Sequence, residues 1–116
     1  MGVVFITGKV TGPLGSEEVE FIVDSGASYS LLPEPVWKRI GLKPKRELTF
    51  RLADGSKVVR QVSECHIRLP EDETHTPIIL GESGDEALLG MITLENMGLV
   101  LNPFTRQLQP MRLLLV

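Results

Sequence analysis

The residues best able to do chemistry stand together at Asp24-Ser25-Gly26, where the apolar run Phe21-Ile22-Val23 stops. A strand that ends in Asp24 carries a carboxylate toward the interior, where an unpaired charge is costly. Gly26 lets the backbone turn tightly behind it, and Ser25 and Ser28 offer hydroxyls to neighbouring groups. A carboxylate so placed can take up or release a proton. The same three residue types are also a common way to stop a strand. On these residues alone both readings stay open.

The other candidates are poorer. His66 and His75 are not spaced as a metal pair, and His66 falls on the outward face of a strand, where a solvated imidazole is expected. Cys65 precedes it and faces inward, as a small core residue. Strand neighbours point to opposite faces, so Cys65 and His66 do not form a nucleophile–base pair. Glu71-Asp72-Glu73 reads as a solvated loop, and Gly81-Glu82-Ser83-Gly84-Asp85 lacks the lysine of a phosphate-binding loop. Trp37 reads as the core anchor of a short helix. No metal and no cofactor is expected.

The elements that must position Asp24 are short strands. Val3 to Val10 forms the first, closed by the turn signal Thr11-Gly12-Pro13-Leu14-Gly15. In Glu18 to Val23 the alternation puts Val19, Phe21 and Val23 on one face. Leu48, Phe50 and Leu52 alternate in the same way and lead into Asp54-Gly55, a dipeptide suited to a tight hairpin with positive φ. The return strand carries Cys65, Ile67 and Leu69 inward and Glu64, His66 and Arg68 outward. Pro77 to Leu80 is another strand, and Asn102 to Arg106 is a turn between Leu99-Val100-Leu101 and a last strand ending Arg112 to Val116. Two pieces are helical: Pro33 to Ile40, stopped by Gly41, and Thr93 to Met97, with Thr93 as cap and Gly98 behind.

Composition sets the bounds. The 116 residues have room for one domain, 1–116, with one modest core. A net charge of −3 with no basic run argues against a nucleic-acid surface. The lone cysteine forms no internal disulfide. No apolar stretch approaches the roughly 20 residues that a membrane span requires. Met1 to Ile6 has neither a basic leader nor a signal-length apolar run, and the expectation is a soluble, cytoplasmic domain.

The segment Phe21-Ile22-Val23-Asp24-Ser25-Gly26-Ala27-Ser28 resembles the active-site loop of the retropepsin-like aspartic proteases, a family of retroviral proteases and their cellular and bacterial relatives. Ala87-Leu88-Leu89-Gly90, running into Met91 to Met97, resembles the family's second signature, an apolar run and a glycine leading into a short helix. Between them, Arg51 to Val58 occupies the place of the flap hairpin that closes over substrate. The ordered set covers nearly the whole chain. It implies a mainly β fold: a small closed acid-protease-type barrel with one or two short helices, forming half of a two-fold dimer. It further implies Asp24 as the catalytic carboxylate. Ser25 would hydrogen-bond across the dimer axis, and Gly26 would let the substrate backbone approach. Ala27 and Ser28, with Ala53, Asp54 and Gly55 of the flap, would line the substrate. The Leu89-Gly90 element would pack behind Asp24. Viral flaps carry several glycines and this one only Gly55, so a stiffer or differently shaped flap is expected.

Aspartic proteolysis needs one ionised and one protonated carboxylate, and the aspartic proteases are the established example of two carboxylates sharing one proton. The chain has a single Asp-Ser-Gly, so the resemblance implies a homodimer with one Asp24 from each copy. The apolar ends, Val3 to Ile6 and Leu113 to Val116, suit pairing between chains, although pairing within one chain would use them equally well. The sequence is therefore read as a homodimeric aspartic endopeptidase acting on peptide or protein substrates. Its rival is a dimeric module of the same fold that holds an extended peptide without cutting it. The modest flap, and a start with no pro-segment to restrain an active protease, favour the rival.

Overall fold

A computed structural model describes residues 3–112 and 115. Nine strands and two six-residue helices follow one another along those residues. Strand β1 (Phe5–Gly12) turns back into β2 (Gly15–Val23); β3 (Ser30–Leu32) precedes helix α1 (Glu34–Arg39). The hairpin β4 (Arg46–Arg51) and β5 (Lys57–Arg68) follows, then β6 (Glu73–Leu80), β7 (Leu88–Leu89), helix α2 (Met91–Asn96) and the small ribbon β8 (Leu99–Asn102) and β9 (Gln107–Pro110).

The strands pair in the order β1-β2-β7-β3-β6-β5-β4, and β1 also pairs with β5. That extra pairing, Lys9 with Arg68 through Thr11 with His66, closes six strands into a barrel and leaves β4 outside it as an arm carried by β5. Closure removes the free edges of the six strands. Only β8 and β9 form a separate sheet.

Alternation in the sequence translates directly into the core. Val19, Phe21 and Val23 of β2 are buried, as are Cys65 and Ile67 of β5 and Leu69 just beyond it. Burial pushes the Cys65 thiol up to about 12, so it stays a neutral, apolar side chain at ordinary pH. Helices this short are marginal in isolation. Helix α1 is held by Val36 and Trp37, which pack on the core, and by the Trp37 indole, whose Nε1 donates to the Gly81 carbonyl at 2.9 Å. It ends where Gly41 takes φ 82°.

Several boundaries differ from the sequence reading. The fifth barrel strand in chain order, β6, starts at Glu73 rather than Pro77, because Leu69 N–H bonds to the Asp72 carbonyl and sets Arg68 opposite Glu73. Helix α2 starts after Gly90, so Thr93 lies inside the helix and is not its cap. The last strand ends at Pro110; the expectation of strand at Leu113, Leu114 and Val116 falls outside the described residues. His66 is half-buried rather than freely solvated: its Nε2 lies 3.0 Å from Glu73, and its ring meets that of His75, its cross-strand neighbour, at 5.1 Å.

Candidate active site

The placement of Asp24 follows from one irregularity in the strand order. β7 lies between β2 and β3, parallel to β2 (Val23 beside Leu89) and antiparallel to β3 (Leu31 beside Leu88). The chain leaving β2 must therefore arch over the end of β7 to reach β3, across two strand spacings of about 4.8 Å each. Asp24 to Tyr29 form that arch.

Two supports fix it. Behind Asp24, its backbone N–H donates to the Leu89 carbonyl at 3.0 Å, which continues the β2–β7 ladder one residue past β2. Beneath the arch, α2 begins directly after β7. Its first N–H groups need acceptors that no preceding turn supplies, and they find them in the arch: Met91 donates to the Ala27 carbonyl at 2.8 Å and Ile92 to the Ser28 carbonyl at 2.9 Å. No side chain caps this helix; the arch does so instead. The fit is close enough to explain Gly90, where a Cβ would stand 2.6 Å from the Tyr29 carbonyl carbon and oxygen.

A buried cluster of hydroxyls pins the helix to the barrel. Thr93 Oγ1 shares hydrogen bonds with Ser30 Oγ at 2.6 Å and Thr76 Oγ1 at 2.7 Å, and Gly90 N–H donates to Ser30 Oγ at 2.9 Å. Ser30, Thr76 and Thr93 are each at most 2% exposed. One residue from α2, one from β3 and one from β6 thus satisfy one another where no water reaches. Sequence reasoning missed this cluster. A signal existed for Thr76, since it shares the alternating face of Ile78 and Leu80; nothing local marks Ser30 or Thr93.

Within the arch, the Asp24 carboxylate accepts the Gly26 N–H at 2.9 Å, and Ala27 N–H donates to the Asp24 carbonyl at 3.1 Å. Asp24 is half-buried, whereas Ser25, Gly26 and Ser28 are exposed on the crest. An added Cβ at Gly26 would stand 3.3 Å from Asp24 Oδ1. The structure therefore brings Asp24, Ser25, Gly26, Ala27 and Ser28 together on one supported loop.

Ala53, Asp54 and Gly55 lie elsewhere, at the tip of the β4–β5 hairpin. Gly55 N–H bonds to the Leu52 carbonyl at 2.9 Å and Leu52 N–H to the Ser56 carbonyl at 2.8 Å, with Gly55 at φ 88°. This is a turn with a left-handed glycine bulge rather than a two-residue hairpin, because Asp54 keeps negative φ. Asp54 Oδ1 accepts from the Ser56 hydroxyl at 2.5 Å and from the Ser56 N–H at 2.8 Å, and these bonds hold its carboxyl below the usual value. The tip is fully exposed, and among the described residues no hydrogen bond joins it to the arch. Contact between the two regions runs along β4: the rings of Tyr29 and Phe50, the latter paired with Val58 near the turn, meet edge to face at 5.4 Å, and Arg46 Nη2, at the hairpin's root, lies 3.5 Å from the Tyr29 hydroxyl.

Known proteins share this fold. EIAV protease, solved in complex with the inhibitor HBY-793, superposes with a TM-score of 0.64 at 15% identity over 84% of this chain and 89% of its own. The solution structure of simian foamy virus (mac) protease does so with a TM-score of 0.57 at 14% identity over 78% and 91%. None of the curated proteins matches in sequence. At such identities the two structures establish the fold, which is that of the retroviral proteases. The family model described as "gag-polyprotein putative aspartyl protease" matches residues 10–96, from β1 through α2 and including both the arch and its support. The chain belongs to that aspartic protease family.

Proposed function

We propose that the protein is an aspartic endopeptidase that works as a homodimer, each copy supplying one Asp24. The observation that carries this reading is the arch itself: a single carboxylate per chain, half-buried, on a loop whose backbone is held from behind by Leu89 and from beneath by α2. A general acid or base must keep its position while a proton moves, and this loop has little freedom to do otherwise. The crest beside Asp24 is open, and Val3 and Phe5 expose more than half of their apolar surface, as ends awaiting a second copy would.

In the dimer, the ionised Asp24 takes a proton from a water whose oxygen attacks the scissile carbonyl carbon. Asp24 of the partner subunit, protonated, donates to the carbonyl oxygen, giving a neutral diol. Collapse of the diol breaks the C–N bond as Asp24, now protonated, passes its proton to the amide nitrogen and the partner subunit's Asp24 takes one from a diol hydroxyl, so the pair again holds a single proton. Ser25 ties the two loops together, Gly26 admits the substrate backbone, and Ala27 and Ser28 with Ala53, Asp54 and Gly55 border the peptide. Only the singly protonated pair is active, so the rate against pH is bell-shaped.

Two measurements test the proposal. Light scattering after size exclusion is expected to give the mass of two chains, and a monomer at every concentration would remove the paired carboxylates. Cleavage of a peptide library is expected to vanish in Asp24→Asn with the dimer intact. Peptides that bind but are never cut, at any acid or neutral pH, would make the protein a binding module instead.

A further inference from the structure

A well-formed groove lies away from Asp24. It measures about 870 Å³ and lies between the β1–β2 turn, the segment after α1, residues Ser63 to His66 of β5 and His75 of β6; no residue of the arch lines it. Its size falls within the few hundred to about 1,000 Å³ that small-molecule sites occupy. Its walls are held in place. Leu14 N–H donates to the Ile40 carbonyl at 3.0 Å, and Leu14 packs so closely over Gly41 that a Cβ there would lie 2.5 Å from its Cγ.

The lining combines apolar and cationic side chains. Leu14, Leu42 and Cys65 give it an apolar surface, and the neutral thiol adds no charge. Lys38, Lys43 and Lys45 ring it against a single carboxylate, Glu64, in a chain whose net charge is −3. Lys45 is taken by Glu64 at 2.8 Å and Lys38 by Glu34 at 3.5 Å; Lys43 has no ion-pair partner among the described residues. Strand addition does not suit a polypeptide here: between the β4 pairing at Val62 and the β1 pairing at His66, β5 leaves only Ser63, Glu64 and Cys65 unpaired on that side. Nor do His66 and His75 make a metal site, since no three metal-binding side chains converge among the described residues.

We propose that this groove binds amphipathic carboxylates, with an apolar chain lying on Leu14, Leu42 and Cys65 and a terminal carboxylate held by Lys43 beside Lys45. The site uses no residue of the arch and is independent of proteolysis. The charge on Lys43 selects the head group, and the apolar wall supplies the affinity.

The test is amide NMR titration of the whole chain with octanoate, octan-1-ol and octylammonium. Octanoate is expected to shift the amides of residues 11–14, 41–45 and 63–66 saturably, and octylammonium to bind about tenfold more weakly or not at all. Lys43→Glu is expected to weaken octanoate by about tenfold and to leave octanol unchanged. Leu14→Asp, at a side chain 77% exposed and therefore safe to alter, is expected to weaken both. Equal binding of octanoate and octylammonium, shifts centred elsewhere, or an unaltered Lys43→Glu response would overturn the proposal. So would equal displacement of octanoate by an acidic peptide without apolar side chains, which would reduce the groove to a basic patch.

Discussion

The arch and the hairpin tip are both turns of a few residues built around a glycine, yet they are held in opposite ways. The arch is supported by neighbours distant in sequence: Leu89 behind it, Met91 and Ile92 beneath it, and the Ser30–Thr93–Thr76 hydroxyls under those. The hairpin tip is held only by its own residues, Leu52 with Gly55 and Ser56 and Asp54 with Ser56. β4 itself pairs with β5 alone and meets the arch only through Tyr29 among the described residues. Regions with few buried contacts open at low free-energy cost, whereas the centre of a satisfied core opens only with the whole fold. The difference teaches how one small chain combines a firmly held carboxylate with a hairpin tip held by little beyond its own residues. Long-range bonds supply the first, and purely local bonds suffice for the second.

The comparison breaks most sharply at the two glycines. Gly90→Ala places a Cβ 2.6 Å from backbone atoms of Tyr29, which cannot rotate aside, and the expected loss is about 3 kcal/mol, the upper end for overpacking. Denaturant unfolding measures it. Gly55→Ala meets nothing within 4 Å but must hold φ 88°, so the expected loss is about 1 kcal/mol and confined to the hairpin. If the two losses were equal, the arch would not be the more constrained region.

Thr93→Val comes next. It keeps the shape and leaves the Ser30 and Thr76 hydroxyls buried with one partner fewer, an expected cost of about 1–3 kcal/mol that Thr93→Ser should largely restore. If the cluster also holds the arch, peptide cleavage falls in kcat with little change in KM. A variant that unfolds more easily but cleaves at the normal rate would confine the cluster to stability.

Phe50→Ala removes the edge-to-face contact that Tyr29 makes near the turn end of β4. An aromatic pair is worth about 0.5–1.5 kcal/mol beyond its buried area. Faster amide exchange along β4, with the Asp24–Leu89 bond as protected as before, is the expected result; equal loss in both places would show the two regions to be one cooperative unit.

The smallest effect is at Asp54. Its carboxyl is held below the ordinary value of 3.8 by the Ser56 hydroxyl and N–H, so the ionised form orders the tip. A depressed folded value means that the contribution is complete above about pH 4 and is lost as pH falls through the lowered value. The Ser56 amide shift is expected to follow that titration, and Asp54→Asn to flatten it while the amides of the arch stay unchanged.

Much of this molecule was legible locally. The alternation through Val19, Phe21 and Val23, the carboxylate that stops the strand, the left-handed Gly55 and the glycines closing both helices each depend on a residue and its immediate neighbours. Backbone sterics and side-chain periodicity act over the same few positions that a sequence displays. The order of motifs was legible too, and with it the family.

What the sequence left undecided concerns residues far apart in the chain. Thr93 looked like a helix cap because Thr is a good one, and only the docking of α2 under the arch made it the centre of a buried cluster with Ser30 and Thr76. Gly90 looked like part of an apolar motif, and its need for no side chain arises from a carbonyl at Tyr29. His66 and His75, unrelated by spacing, became neighbours through the β5–β6 register, and the basic groove beside them gathered lysines from the end of α1 and the segment after it. Strand pairing and core closure choose such partners, because burial rewards whichever distant groups satisfy one another, and nothing at either position alone records that choice.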